Sequence, residues 1–201
     1  MIRVLIAEDQ TLVRGALRAL LELEDDLDVV AEVGRGDAVV EAAREHRPDV
    51  ALLDIEMPGM DGIEAARALA TALPECRAVI LTTFGRPGFL RRAMEVGAAG
   101  FLVKDAPVAE LARGIRAVMM GERVIDRDLA AAALAIGATP LSTREADVLR
   151  AAAGGATVAD IAGRLFLSEG TVRNYLSSAI GKTGAHTRVE AARVAEEKGW
   201  L

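Results

Sequence analysis

The chain has 201 residues, of which 52% are hydrophobic and 3% aromatic, and its net charge is −6. This length allows one large domain or two small ones, with enough aliphatic residues for a packed core. No apolar run is long enough to cross a membrane, the start lacks the pattern of a signal peptide, and a single cysteine, Cys76, excludes an intrachain disulfide. These features predict a cytoplasmic protein that does not contact a membrane.

Strand and helix signals alternate along residues 1–121. Five apolar runs are typical of buried strands, and they lie at Arg3–Ala7, Leu27–Val33, Val50–Leu53, Ala78–Leu81 and Gly100–Val103. A helical pattern follows each run, at Val13–Leu20, Ala38–His46, Ile63–Leu73, Pro87–Val96 and Pro107–Val118. Five such units predict an α/β domain with a doubly wound parallel sheet of the flavodoxin-like (βα)5 type.

Residues 122–139 differ in composition and predict a linker between two domains. An alanine-rich stretch, Leu129–Ile136, favours a short helix because alanine has the highest helix propensity. A flexible tether is an alternative that the residues leave open.

Residues 140–201 contain only helical signals and predict an all-α domain of four helices. Ser142 to Glu145 fits a capping box at the start of the first helix. The second and third helices, which begin near Thr157 and Ser168, are separated by a tight turn at Phe166-Leu167. This arrangement is typical of a helix-turn-helix. The segment has 8 basic and 7 acidic residues, so any affinity for nucleic acid must come from the positions of its cations.

Polar residues stand just beyond four of the five predicted strands: Glu8, Asp9, Asp54, Thr82 and Lys104. The carboxyl ends of parallel strands share one edge of a sheet, where ligands bind, so these side chains are expected to meet. Three carboxylates suit Mg²⁺, which would also offset the charge of an incoming phosphoryl group. Asp54 is the candidate nucleophile, because a carboxylate can accept a phosphoryl group as an acyl phosphate. Lys104 and Thr82 could bind the phosphoryl oxygens.

Four motifs resemble the receiver domain of two-component response regulators. They are Ala7-Glu8-Asp9, Asp54 to Gly62, Leu81-Thr82-Thr83-Phe84 and Gly100 to Asp105. The resemblance implies that a sensor histidine kinase phosphorylates Asp54, that Glu8, Asp9, Asp54 and the backbone carbonyl of Glu56 hold Mg²⁺, and that Thr82 and Lys104 bind the phosphoryl group. It also implies that Phe101 reports the switch. Asp105 stands where many receivers have proline.

The tail resembles the LuxR-type DNA-binding domain of the NarL/FixJ family through Leu141 to Glu145, Asp160 to Ala162 and Leu167 to Tyr175. Within that family the chain looks closest to regulators of the DesR kind. The resemblance covers essentially the whole chain. It implies a transcription factor that phosphorylation activates, binding as a homodimer to an inverted repeat in double-stranded DNA.

The third helix of the tail is the expected reading helix, with Arg173, Asn174 and Ser177 toward the bases. Thr171, Lys182 and Arg188 are better suited to phosphate contacts. Two other functions remain open: a regulator that works without phosphorylation, and an aspartyl-phosphate phosphatase. The second is disfavoured because such enzymes usually place the nucleophile on the first strand, whereas Asp54 follows the third. We therefore expect no enzyme, and a helical interaction module stays the alternative for the tail alone.

Overall fold

A computed structural model of the protein describes residues 1–82, 87–104, 107–127, 129–131 and 139–201. The chain divides into two compact units, one built around a parallel sheet and the other around the last four helices. Within the described ranges, no helix is long and apolar enough to cross a membrane.

The first unit alternates strands and helices as the sequence predicts. Its strands are β1 (Ile2–Ala7), β2 (Leu27–Val33), β3 (Val50–Asp54), β4 (Arg77–Thr82), β5 (Gly100–Val103) and β6 (Val124–Ile125). Its helices are α1 (Thr11–Leu21), α2 (Val39–His46), α3 (Gly62–Ala72), α4 (Pro87–Glu95) and α5 (Val108–Met119), with a short 3₁₀ turn at Gly36–Ala38 before α2.

All strand pairs are parallel, and the strand order is β2-β1-β3-β4-β5-β6. The first five strands follow the 2-1-3-4-5 order of a doubly wound sheet, whose direction of winding reverses between β1 and β3. Every residue of β3 is buried, because a central parallel strand is covered by helices on both faces. The carboxyl ends of β1 and β3 therefore form the crevice in which such a sheet binds ligands.

One strand of this sheet is absent from the sequence prediction. β6 lies within residues 122–139, which were expected to be a linker, and pairs Val124 with Gly100 and Ile125 with Phe101. A two-residue strand gives too short a pattern for its periodicity to be recognised. The amide of Leu129 binds the carboxylate of Asp126, and residues 129–131 are helical. The rest of the predicted linker helix lies outside the described residues.

The core of the first unit joins alternate residues of the central strands to α1 and α5. From α5, Leu111, Ile115 and Val118 are buried against this face of the sheet. Their strand partners, spaced two residues apart as one face of a strand requires, are Val4, Ile6, Val50, Leu52, Val79 and Leu81. This packing fixes the strand register, so the polar residues at the strand ends lie together at the carboxyl edge of the sheet.

The second unit consists of α6 (Thr143–Ala153), α7 (Val158–Leu165), α8 (Glu169–Thr183) and α9 (Arg188–Glu197). Each helix begins with a side-chain cap, supplied in order by Ser142, Thr157, Ser168 and Thr187. Ser142 and Thr157 form full capping boxes with Glu145 and Asp160. Such caps satisfy the free amides at a helix start, which stabilises helices as short as α7. The four predicted helices are confirmed.

Candidate functional site

The ends of β1 and β3 bring three carboxylates together in the first unit. Asp54 is the last residue of β3, and Glu8 and Asp9 follow β1 directly. One carboxylate oxygen from each of the three lies within 4.8 Å of the others, and Glu8 and Asp54 are buried whereas Asp9 is exposed. These oxygens form the kind of donor set that Mg²⁺ prefers in proteins. Glu56, whose backbone carbonyl is a further predicted ligand, lies two residues beyond Asp54 in the following loop.

Lys104 completes this pocket from β5. Its Nζ atom lies 2.8 Å from Oδ1 of Asp54 and 2.5 Å from Oε2 of Glu8, and its side chain is only 7% exposed. Apart from this ion pair, Glu8 Oε2 has no hydrogen-bond partner among the described residues. The backbone amide of Lys104 donates to the carbonyl of Thr82 at 2.8 Å, which fixes where the lysine leaves the sheet. The sequence-predicted meeting of Glu8, Asp54 and Lys104 is thus present.

Burial and ion pairing shift the pKa values of these three groups in opposite directions. Burial raises the pKa of Asp54 and of Glu8 above the usual values, although the hydrogen bond from Lys104 partly offsets it. Burial alone would lower the pKa of Lys104, but its hydrogen bonds to Asp54 and Glu8 outweigh burial and raise that pKa. Two buried carboxylates therefore share one cation, an arrangement that favours a further cation such as a metal ion.

Thr82 and Phe101, the two predicted switch positions, lie on neighbouring strands. Thr82 ends β4 and is buried, and its pairing partner across the sheet is Val103, next to Lys104. Phe101 is fully buried in β5. The motif residues Thr83, Phe84 and Asp105 lie outside the described part of the chain.

Two glycines of the first unit are required by packing, which the sequence did not predict. A Cβ atom on Gly62 would lie 1.9 Å from the carbonyl oxygen of Asp54, and one on Gly36 would lie 2.0 Å from the carbonyl oxygen of Met60. Gly62 also donates its amide to the carbonyl of Ile55 at 3.0 Å. Only glycine permits such close approaches to backbone carbonyl oxygens. The Pro-Gly-rich loop after Asp54 was the one sequence signal for it.

Two arginine contacts, in the loops after β1 and β3, were not predicted either. Arg14 of α1 donates from Nη1 to the backbone carbonyl of Glu8 at 2.5 Å, which holds the turn that carries the acidic pair. Arg92 of α4 binds Oδ2 of Asp61 at 3.2 Å, while Oδ1 of Asp61 caps α3. A lone arginine on a helix gives no sequence signal for such a contact.

In the second unit, the predicted reading residues are on the surface of α8. Arg173, Asn174 and Ser177 are exposed, and they lie on a helix whose other side packs on the core through Val172, Leu176 and Ala179. Arg173 forms an ion pair with Glu169 one turn earlier at 2.5 Å. Thr171 lies in the first turn, with its hydroxyl 2.8 Å from that of Ser168.

The two predicted phosphate contacts nearer the end of the chain are used inside the fold. Lys182 pairs with Glu145 at 2.7 Å, and the same carboxylate accepts from Ser178. Arg188 donates to the carbonyl of Ala156 at 3.0 Å. Both side chains are therefore held by the protein, although Lys182 keeps 39% of its side-chain surface exposed. Sequence alone gave no sign of these internal partners.

An acidic pocket at the switch point of a (βα)5 sheet, joined to a helix-turn-helix, defines a class of two-domain regulator. Residues 4–116 match the response regulator receiver domain, and residues 139–195 match the luxR family of bacterial regulatory proteins. The chain therefore belongs to the response regulators with a LuxR-type DNA-binding domain, and it is a DNA-binding transcriptional regulator.

Individual relatives agree with this assignment. The chain is 44% identical to the transcriptional regulatory protein DesR of Bacillus subtilis (strain 168), over 100% of both chains. The crystal structure of the response regulator ChrA of a heme-sensing two-component system is similar, with a TM-score of 0.60 and 34% identity over 100% of this chain and 98% of that one. The structure of an RcsB–DNA complex has a TM-score of 0.70 and 25% identity over 98% of each chain. The resemblance to DesR-like regulators is confirmed.

Proposed function

We propose that a sensor histidine kinase phosphorylates this regulator on Asp54 and that the phosphorylated chain binds its operator as a homodimer. The observation that supports this most is the shared placement of Asp54, Glu8 and Lys104 in one pocket at the switch point of the sheet. No other group of three or more metal-binding side chains lies close together in the described ranges. The proposal places the protein in the cytoplasm.

In the transfer, a carboxylate oxygen of Asp54 attacks the phosphorus of a phosphohistidine. The new bond is P–O, the bond that breaks is P–N, and the imidazole nitrogen leaves with the electron pair. Glu8, Asp9, Asp54 and the carbonyl of Glu56 would hold Mg²⁺, which supplies neutralisation of the phosphoryl oxygens when bound. The ammonium of Lys104, which lies 2.8 Å from Oδ1 of Asp54, would then move from the carboxylate to the phosphoryl group.

Thr82 and Phe101 would pass this change on to the rest of the receiver. Once Lys104 binds a phosphoryl oxygen, its hold on Glu8 weakens, and the Thr82 hydroxyl becomes a donor to the same group. The backbone hydrogen bond from Lys104 to Thr82 links the two residues whose side chains would change partners. Phe101 lies on the strand that carries Lys104, so β5 is the element expected to transmit the change.

Dimerisation is proposed through α1 and α5. In α5, Leu111, Ile115 and Val118 belong to the core of the unit, so an interface there must use other residues. Exposed apolar side chains on or next to these helices include Leu12 and Met119. A dimer would place two copies of α8 on an inverted repeat, with Arg173, Asn174 and Ser177 facing the major groove and Thr171, Lys182 and Arg188 nearer the phosphates.

A direct test is phosphorylation by a small acyl phosphate in the presence of Mg²⁺, read by intact mass. The parent should gain one phosphoryl group, and Asp54→Asn should gain none. Asp25→Asn, which removes an exposed carboxylate far from the pocket in sequence, should be labelled like the parent. Full labelling of Asp54→Asn would contradict the assignment. A parent that takes no label would instead favour a regulator that works without phosphorylation.

A further inference from the structure

Phe166 has an exposed side chain that does not belong to the hydrophobic core of the second unit. It lies in the turn between α7 and α8 and is 94% exposed, the largest value for any large apolar side chain among the described residues. Its neighbours Leu165 and Leu167 both pack against the core of the second unit. The chain therefore partly buries the side chains on either side and directs the ring of Phe166 into solvent.

The backbone at Phe166 also gives no reason for an aromatic residue. Its φ is 55° and its ψ is 47°, in the left-handed region that glycine and asparagine adopt most readily. This conformation ends α7, because the amides of Phe166 and Leu167 both donate to the carbonyl of Ala162. Glycine or asparagine would form the same turn with less strain and without exposing an apolar ring. Folding alone thus does not account for the residue.

The position of the turn indicates a partner. Phe166 lies two residues before Ser168, whose hydroxyl caps the reading helix α8. In helix-turn-helix proteins the start of the second helix enters the major groove and the first helix crosses the DNA backbone. The turn that joins them must then lie over the sugar-phosphate edge of the groove. Arg164, exposed in the last turn of α7, would supply a cation for the adjacent phosphates.

We propose that the ring of Phe166 packs on the deoxyribose of the operator backbone and adds an apolar contact that does not depend on base sequence. The sugar presents C–H groups to such a ring, whereas the phosphate oxygens beside it are reached by arginine. The inference rests on the proposed placement of α8 in the major groove. It assigns to the turn a binding role separate from the base-reading role of Arg173.

The test compares Phe166→Asn with the parent as phosphorylated, full-length proteins. Two DNA probes are used: a duplex selected by the parent from a random pool, and an unselected duplex of equal length. The Kd should rise by roughly five-fold on both probes, the size expected from losing part of one buried aromatic side chain. The slope of log Kd against log salt should be unchanged, because no charge is removed. The melting temperature of Phe166→Asn should not fall below that of the parent.

Two further variants distinguish a failure of the Phe166 contact from a failure of the proposed placement of α8. Phe166→Tyr should bind both probes like the parent, since it keeps the ring. Arg173→Ala should lose affinity for the selected duplex far more than for the unselected one. If Phe166→Asn binds both probes like the parent while Arg173→Ala loses selectivity, the ring does not touch DNA and the inference is wrong. A loss confined to the selected duplex would equally contradict a sugar contact. If Arg173→Ala has no effect, the placement of α8 itself fails.

Discussion

Lys104 and Asp54 are joined by a 2.8 Å ion pair at the carboxyl edge of the sheet. In the proposed function, the cation that would stabilise a phosphorylated Asp54 therefore pairs with the unphosphorylated carboxylate first. Glu8 shares the same ammonium group, so one cation serves two buried acids. When both acids are ionised, the pocket carries an excess negative charge that a bound metal ion would offset.

Replacing Lys104 with methionine should make the receiver depend on Mg²⁺ for stability. Without metal, Glu8 and Asp54 would be buried with no cation beside them, and the free energy of unfolding should fall by about 2 kcal/mol or more. Mg²⁺ should restore more stability to Lys104→Met than it adds to the parent, because binding to the folded state alone stabilises it. Urea unfolding with and without Mg²⁺ measures both effects.

Lys198→Met provides the control, because Lys198 lies over the ring of Trp200 in the other unit. Its response to Mg²⁺ should match that of the parent. If Mg²⁺ stabilises the parent, Lys104→Met and Lys198→Met by equal amounts, the charge of Lys104 does not influence the site where Mg²⁺ binds.

Gly62→Ala should destabilise the receiver, since the added methyl group would overlap the carbonyl oxygen of Asp54. Overpacking of this kind costs about 1–3 kcal/mol, and it should also slow labelling of Asp54 because the backbone there must shift. Gly15→Ala is the matched control: Gly15 lies in α1 with nothing within 4 Å of an added Cβ. It should raise stability by up to about 1 kcal/mol through helix propensity. Equal stability of the two variants would contradict the close approach at Gly62.

Glu145→Gln should destabilise the DNA-binding unit. This buried carboxylate accepts hydrogen bonds from the amide of Ser142, the hydroxyl of Ser178 and the ammonium of Lys182, so it joins α6 to α8. Loss of charged hydrogen bonds at a buried site costs about 2 kcal/mol. Asp160→Asn removes the matching residue of the exposed capping box in α7 and should cost clearly less. Chemical unfolding of the three proteins provides the comparison, and equal losses would argue against a special role for Glu145.

Acid should weaken the same unit through Glu145. Burial alone would raise the pKa of this carboxyl, but the hydrogen bonds from Lys182, Ser178 and Ser142 hold it at about 2, below the ordinary value of 4.5. A carboxyl whose pKa is depressed on folding stabilises the protein above its unfolded pKa. That contribution should be lost as the pH falls from 4.5 toward 2. Between pH 4.5 and pH 2, the melting temperature of Glu145→Gln should change less than that of the parent. An equal pH dependence of the melting temperature in both proteins would contradict this role of Glu145.

Glu169→Gln should strengthen DNA binding. Glu169 lies at the start of α8 and pairs with Arg173. If α8 enters the major groove as proposed, Glu169 would repel phosphates and compete with DNA for the guanidinium group. Its removal should lower the Kd by roughly three- to ten-fold at low salt, with a smaller gain at high salt. Glu197→Gln breaks an equivalent pair with Arg193 in α9 and should change the Kd little. Fluorescence anisotropy across a salt series tests this, and a similar response in both variants would place DNA elsewhere.

The sequence was sufficient to predict the order of the receiver and the meeting of its polar strand ends. Buried parallel strands give long apolar runs, and the residue after each run must lie at the common edge of the sheet. Asp54, Glu8 and Lys104 therefore converge as expected. The four capped helices of the second unit were equally readable, because Ser142 and Thr157 supply local signals.

Contacts between residues far apart in the sequence could not be predicted from it. Nothing local shows that Lys182 turns toward Glu145, 37 residues away, or that Arg188 reaches Ala156. The strand β6 has only two residues, too few to form a pattern, and its pairing with β5 depends on tertiary contact. Gly62 looks like an ordinary loop glycine until the backbone of Asp54 is placed beside it.

The most direct test of the account measures DNA binding and assembly before and after phosphorylation. A duplex selected from a random pool by the phosphorylated parent is titrated with parent and Asp54→Asn, with and without a small acyl phosphate and Mg²⁺, and the complexes are sized by sedimentation velocity. The parent should bind about ten-fold or more tightly after phosphorylation, with two copies on each duplex. Asp54→Asn should not respond. Equal affinity and equal assembly of the parent in both states would contradict the claim that Asp54 controls DNA binding.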